Sequence, residues 1–262
     1  MYTSVSFTKG ACYMFKFLSK IAGGINNVRR GKASAIILCA GSSTRFSSDN
    51  ENKQFAFVDG LPVIIRTILA FEKSDAINEI ILVTKKEDID ELKNLVCDNG
   101  IKKVTCIVVG GNTRQESALK GFKHVSEKSK LVAIHDGARC LVTTKIIDDV
   151  IMEADKHKAA TAACRVTDTV KISDDNGFIS KTVDRNYVWN VQTPQIFEKK
   201  LYNTCAFYAK QKGISATDDC MLIESAGFKV KLVDTGRDNI KITVKDDIQL
   251  AEHILAARGE KQ

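Results

Sequence analysis

The stretch AIILCAGSSTRFSSDNENKQF, Ala35 to Phe55, decides the reading of this chain. A short apolar run gives way to a Gly/Ser/Thr turn and then to two cations, Arg45 and Lys53. The pattern predicts a buried strand emptying into a loop rich in backbone N–H groups. Successive amides with nearby cations offer charge-assisted hydrogen bonds to a polyphosphate. The bland alternative is a surface loop with two solvated cations.

Working outward, β and α signals alternate. Strands are expected at 34–39, 79–84, 104–109, 130–135, 159–166 and 228–234. Helices are expected at 61–74, with Pro62 in the first turn, and at about 86–98, 113–126 and 144–156. Further helices are expected near 198–211 and 217–226 and from Asp246 onward, the last with an Asp-rich start suited to the helix dipole. Continuous apolar strands between helices predict an α/β fold: a Rossmann-like, mostly parallel sheet covered on both faces. Ligands in such sheets sit beyond the carboxyl ends of the strands, which points to loops 40–54, 110–117 and 136–140. The runs TVKIS and FISKTV flank DDNG, a hairpin signal. A polar hairpin inside an α/β domain predicts a projecting arm, about 167–188, of the kind that clasps a second subunit.

Composition narrows the function classes. The 262 residues are 44% hydrophobic and 27% charged, as in a globular protein. The net charge of +7 could suggest nucleic acid, but residues 1–32 hold six basic and no acidic residues, leaving 33 basic against 32 acidic in the rest. The body therefore carries no electrostatic footprint for DNA or RNA. The basic stretch 1–33 is read as a disordered extension preceding a single domain, 34–262. An organelle transit sequence is the alternative, opposed by the absence of Arg before position 29. Eight cysteines without a C-x-x-C pair argue against zinc and thiol-redox sites, and suit a reduced, cytoplasmic setting. No apolar run is long enough to span a bilayer.

The motifs AIILCAGSSTRF with NKQF, GGNTRQESALKG, HDGAR, TDTVK, TVDRNYVWNVQTPQ, ATDD and NIKIT occur in order over about residues 34–258. In this the chain resembles the 2-C-methyl-D-erythritol 4-phosphate cytidylyltransferases. The resemblance implies a Mg²⁺-dependent homodimer that joins CTP and methylerythritol phosphate into CDP-methylerythritol and pyrophosphate, in non-mevalonate isoprenoid synthesis. It implies that Ala40, Gly41, Gly111, Asn112 and Ser117 hold the nucleotide, and that Arg45 and Lys53 act on the transition state. It implies second-substrate contacts from Asp136, Arg139, Thr169, Arg185, Thr193 and Lys241, with Arg185 and Lys241 catalytic and Asp136 also a metal ligand. The loop departs from the family pattern at Ser43, Phe46 and Asn52, and its Arg45–Lys53 spacing is one residue longer, so it is expected to be mobile without CTP.

Blander readings stand beside several of these residues. Asn112 or Thr113 can cap a helix, Asp136 can pair with Arg139, and Arg185 and Lys241 can be surface ion-pair partners. His135 and Trp189 read as packing residues, and Thr217 as the N-cap of the 217–226 helix. The rival functions are a ribitol 5-phosphate cytidylyltransferase, which shares the nucleotide half, and a nucleotide-binding module without chemistry.

Overall fold

The computed structural model describes residues 12–14, 33–41, 45–46 and 52–259. The expected extension therefore lies outside the described residues, apart from 12–14 and Ala33, and so does most of the loop expected to be mobile.

The strands are β1 (Cys12–Met14), β2 (Ala33–Leu38), β3 (Phe57–Val58), β4 (Leu61–Pro62), β5 (Ile77–Thr84), β6 (Val104–Val109), β7 (Leu131–Asp136) and β8 (Ala159–Arg165). After them come β9 (Lys171–Ser173), β10 (Ile179–Thr182), β11 (Trp189–Glu198) and β12 (Lys231–Asp234). The helices are α1 (Val63–Lys73), α2 (Ile89–Asp98), α3 (Arg114–Phe122), α4 (Thr144–His157), α5 (Lys199–Gln211), α6 (Asp219–Ser225) and α7 (Asp246–Ala257).

Eight strands form one sheet in the order β1-β6-β5-β2-β7-β11-β8-β12. The mostly parallel sheet expected from the apolar runs is present: β6, β5, β2 and β7 run parallel, as do β8 and β12. The edge strand β1 and the interior strand β11 are antiparallel to their neighbours. The chain moves from β2 outward to β5 and β6, then returns to β7 on the other side of β2. A crevice at the strand ends follows from that reversal.

Alternate residues of each strand feed two cores, because side chains on a strand point to opposite faces. Ala35, Ile37, Ile80 and Leu82 pack with α1, α2 and α4, while Ile36, Ile81, Val83 and Ile134 pack with α3, α5 and α6. A third cluster, from Phe46 and Val58 through Leu141 to Ile242 and Leu255, seats α7 beneath the loops that border the crevice.

β11 was not foreseen. Its sequence, WNVQTPQIFE, breaks the apolar pattern, and Pro194 argues against a central strand. The ladder with β8 is irregular between Val191 and Gln195, which leaves room for the proline. Thr193, Gln192 and Gln195 are buried but bonded. Gln195 Oε1 accepts from Asp219 N at 2.9 Å, and Gln192 Nε2 donates to Gly236 O at 3.2 Å. A second correction concerns α6: Asp218, rather than Thr217, is its N-cap, accepting from Met221 N at 3.0 Å. Pro62 likewise lies just before α1, paired in a short β3–β4 ladder. The hairpin appears as β9 and β10, a separate two-stranded sheet with every residue exposed.

α3 lies so close to the sheet that a Cβ on Gly121 would come 2.7 Å from Ile36 Cγ2 and 2.8 Å from Val83 Cγ2. Both contacts are branched core carbons with no room to retreat. Gly121→Val is expected to lower stability by about 2 kcal/mol or more, read as a lower urea midpoint with an unchanged m-value.

Candidate active site

Loops at the carboxyl ends of β2, β5, β6 and β7 are stitched side by side. Cys39 N donates to Val83 O, Gly110 N to Thr84 O and Gly137 N to Leu38 O, each at 2.8 Å. Above this seam lies a cavity of about 460 Å³. Ala40, Gly41, Arg45, Lys53, Gly111, Asn112, Ser117, Asp136 and Lys241 line it, so most of the residues singled out in the sequence converge here. Lys85, Arg114 and Gln54 join them. Among the described residues, five cations face one carboxylate, Asp136, an environment built for a polyanion.

The β6–α3 turn shows why glycines stand in this wall. A Cβ on Gly110 would lie 2.6 Å from that of Ala40, and one on Gly111 would collide with that of Glu116. Ser117 Oγ accepts from Gly111 N at 3.0 Å, and Glu116 Oε2 accepts from Asn112 N at 2.8 Å. Thr113, not Asn112, caps α3, accepting from Glu116 N at 3.0 Å. The Asn112 side chain is thereby left to the cavity.

Asp136 stands at the end of β7, and each of its oxygens holds a cation. Oδ1 accepts from Arg114 Nε at 3.1 Å and Oδ2 from Lys241 Nζ at 2.6 Å. Burial alone would raise its pKa, but the two cations outweigh that and hold it well below the ordinary carboxylate range. The Asp136–Arg139 pair considered from sequence is not formed; Arg139 Nη1 donates to Asn239 O at 2.8 Å instead. Arg114 was missed. Its Nη1 reaches Asp219 at 2.5 Å, and Asp219 also accepts from Tyr202 Oη at 2.9 Å. The one sequence signal was an arginine in the first position of a helix, where the macrodipole disfavours a cation unless acids hold it.

Lys241 is delivered by an irregular segment that is tightly tied. Ile242 N donates to Ala138 O at 2.8 Å, and the buried Asn239 donates through Nδ2 to Thr193 O at 2.8 Å. Lys53 is half-buried, and its pKa is pushed down by burial, then by Lys241 and Arg45. Thr193 does not line the cavity. Its hydroxyl is buried, accepting from Asp136 N at 3.1 Å and lying 3.0 Å from His135 Nδ1. Thr169 and Arg185 are exposed on and beside the arm, and Arg185 Nη1 donates to Thr167 O at 3.0 Å. Neither reaches the cavity of its own chain. Trp189 packs under Arg165, whose guanidinium lies 4.4 Å from the ring centroid.

The profile of the 2-C-methyl-D-erythritol 4-phosphate cytidylyltransferases matches residues 33–257. The chain belongs to that family. A relative of that name from Alkaliphilus oremlandii is 41% identical over 230 residues, 87% of this chain and 97% of that protein. Another from Caldanaerobacter subterraneus is 43% identical over 223 residues, 85% of this chain and 98% of that one. The crystal structure of 4-diphosphocytidyl-2C-methyl-D-erythritol synthase from Anaerococcus prevotii superposes with a TM-score of 0.76 at 35% identity, covering 86% of this chain and 99% of that one. The protein is thus a nucleotidyltransferase, and the family is the one its motifs resemble rather than the ribitol phosphate rival. No helix among the described residues is long and apolar enough to cross a membrane.

His135 is sealed behind the site. With the Thr193 hydroxyl donating to Nδ1, the Nε2 proton faces Arg139 O at 3.3 Å, and the ring lies 5.0 Å from that of Phe71. Burial pushes its pKa down to about 3. The unfolded chain takes up a proton near pH 6.5 that the folded chain refuses, so stability falls as pH drops through that window. The loss from this residue between pH 7 and pH 5 is expected to be about 2 kcal/mol. Urea titrations at the two pH values check it, His135→Gln flattening the dependence by that amount.

Proposed function

We propose that the enzyme transfers the cytidylyl group of CTP to 2-C-methyl-D-erythritol 4-phosphate, giving CDP-methylerythritol and pyrophosphate. The observation that carries this reading is the convergence of Arg45, Lys53, Lys85, Arg114 and Lys241 on one cavity, where the Asp136 carboxylate already holds two of them. The cytosine belongs at the Gly111–Asn112 turn, where the Asn112 carbonyl can accept from the N4 amine. The triphosphate lies along Ala40 and Gly41 toward Lys53. The nucleophile enters beside Lys241.

In the step itself, a phosphate oxygen of methylerythritol phosphate bonds to the α-phosphorus of CTP while the bond from that phosphorus to the β-phosphate bridging oxygen breaks. Pyrophosphate departs with the electron pair. A phosphate monoester has a second pKa near 6 and is largely a dianion at pH 7, so no proton need be removed. Arg45 and Lys53 stabilise the charge that spreads over the equatorial oxygens and the leaving group. Lys241, a compact charge with three donors, keeps Asp136 while directing the incoming oxygen.

No group of three or more His, Cys, Asp or Glu able to hold a metal occurs among the described residues. The donor set fits Mg²⁺ only as an ion that takes most of its ligands from phosphate oxygens, with Asp136 as the one carboxylate among the described residues that line the cavity. Bound in that way, it would neutralise phosphate charge. We assign Arg185 and Thr169 to the second substrate in the cavity of a partner copy. The arm that presents them is exposed and carries Ile172, Phe178 and Ile179 uncovered, which suits a homodimer contact. A cytoplasmic setting accompanies this reading: of Cys39, Cys97, Cys106, Cys140, Cys164, Cys205 and Cys220 none is in a disulfide, and only Cys97 is exposed.

Lys53→Ala is expected to keep CTP affinity within about tenfold while lowering turnover by about a hundredfold or more. Pyrophosphate release from CTP and Mg²⁺ measures turnover, and calorimetry measures binding. The same release assay with ribitol 5-phosphate in place of methylerythritol phosphate should give no signal. Release with the ribitol ester alone would overturn the assignment.

A further inference from the structure

Asp88 opens α2, yet its carboxylate makes no capping bond to the helix. An aspartate in that position ordinarily accepts from the second or third helical N–H. Here Oδ2 accepts from Asn52 Nδ2 at 2.8 Å, across 36 residues of chain. The rest of Asn52 is used as well. Its Oδ1 accepts from Gln54 N at 3.1 Å, and its main-chain O accepts from Phe55 N at 2.9 Å. Asn52 therefore closes the turn that carries Lys53 and ties that turn to the β5–α2 connection, which also places Lys85 on the cavity wall.

The tie has something to resist. Lys53 faces Arg45 and Lys241 across the cavity, and three like charges push one another apart. Lys53 stands on a turn, not on a strand or helix, and its long side chain has no rigidity of its own. A charge-assisted bond from the preceding residue to a fixed helix start holds the turn against that repulsion.

We propose that the Asn52–Asp88 hydrogen bond is a latch that positions Lys53 for cytidylyl transfer, making Asn52 and Asp88 positioning residues. The proposal rests on the transferase reading of Lys53 given above. The latch acts through the lysine, so its loss lowers turnover and leaves nucleotide affinity largely intact.

The test uses the full chain carrying Asn52→Ala, Asp88→Ala, both together, or Asp88→Asn, with thermal unfolding to confirm that each is folded. Each alanine variant is expected to lose about tenfold in kcat with KM for CTP within about threefold of the parent. The double variant should be no slower than the singles. Asp88→Asn, whose amide oxygen still accepts, should stay within about threefold of the parent. In a Lys53→Ala background, Asn52→Ala should cost nothing further. Trypsin cleavage after Lys53 gives a readout independent of activity, and should quicken in Asp88→Ala. Parent-like kcat in both alanine variants, multiplicative losses in the double, or unchanged cleavage would overturn the latch. A parent chain that released no pyrophosphate would instead fail the transferase reading, and the cleavage rates would still decide the latch.

Discussion

The Asp136 carboxylate, shared between Arg114 and Lys241, is the interaction on which the site depends. A charge this deeply placed is costly to desolvate and is tolerated only where partners answer it with good geometry. Here the partners come from three distant segments. Asp136 ends β7, Arg114 begins α3, and Lys241 belongs to the irregular chain before α7. Arg114 then extends the network inward to Asp219 and Tyr202, so that α5 and α6 are joined to it. Among the described residues, Asp136 is the carboxylate that pairs with Lys241 and holds it against the other cations.

The polar strand β11 is the frame behind that network. Gln195 Oε1 takes the N–H groups of Asp219 and Cys220 and so fixes the start of α6. The main chain of Thr193 holds Asn239, and its hydroxyl holds Asp136 N. One strand thus positions both Asp219 and the segment bearing Lys241. Its buried glutamines and threonine are tolerated because each has partners, and an apolar strand in the same place could not have oriented either segment.

Much of this was legible in the sequence, and the part that was not has a physical reason. Apolar runs such as AIIL and EIILV mark buried parallel strands, and the rule that ligands lie beyond strand ends singled out three loops that the structure brings to the border of the cavity. β11 was hidden because its polarity, which serves the site, breaks the pattern by which strands are read. The Arg114–Asp219 contact spans 105 residues, and no local spacing encodes such a pair. Thr217 and Asp218 are both good caps, and periodicity cannot choose between adjacent candidates; the geometry of the β11 anchor does. Arg185 and Thr169 illustrate another limit: both are exposed on or beside the arm and lie away from the cavity of their own chain, so no local spacing relates them to it.

The nucleophile explains why the site looks as it does. A phosphate dianion arrives without a proton to lose, so a general base has no task. The one histidine near the site, His135, is neutral, buried and turned toward Thr193 and Arg139. What the reaction requires is fixed positive charge where negative charge accumulates, at positions set before the substrates bind. Each cation accordingly has a support of its own beside the shared Asp136. Arg114 is clamped between two carboxylates, Lys241 is tied through Asp136 and the Ile242–Ala138 bond, and Lys53 rides on a turn closed by Asn52. Three cations can be brought within one cavity despite their repulsion because Arg114 and Lys241 share Asp136 and each has a further tie of its own, Asp219 for Arg114 and the Ile242–Ala138 bond for Lys241, while Lys53 is held separately by its turn.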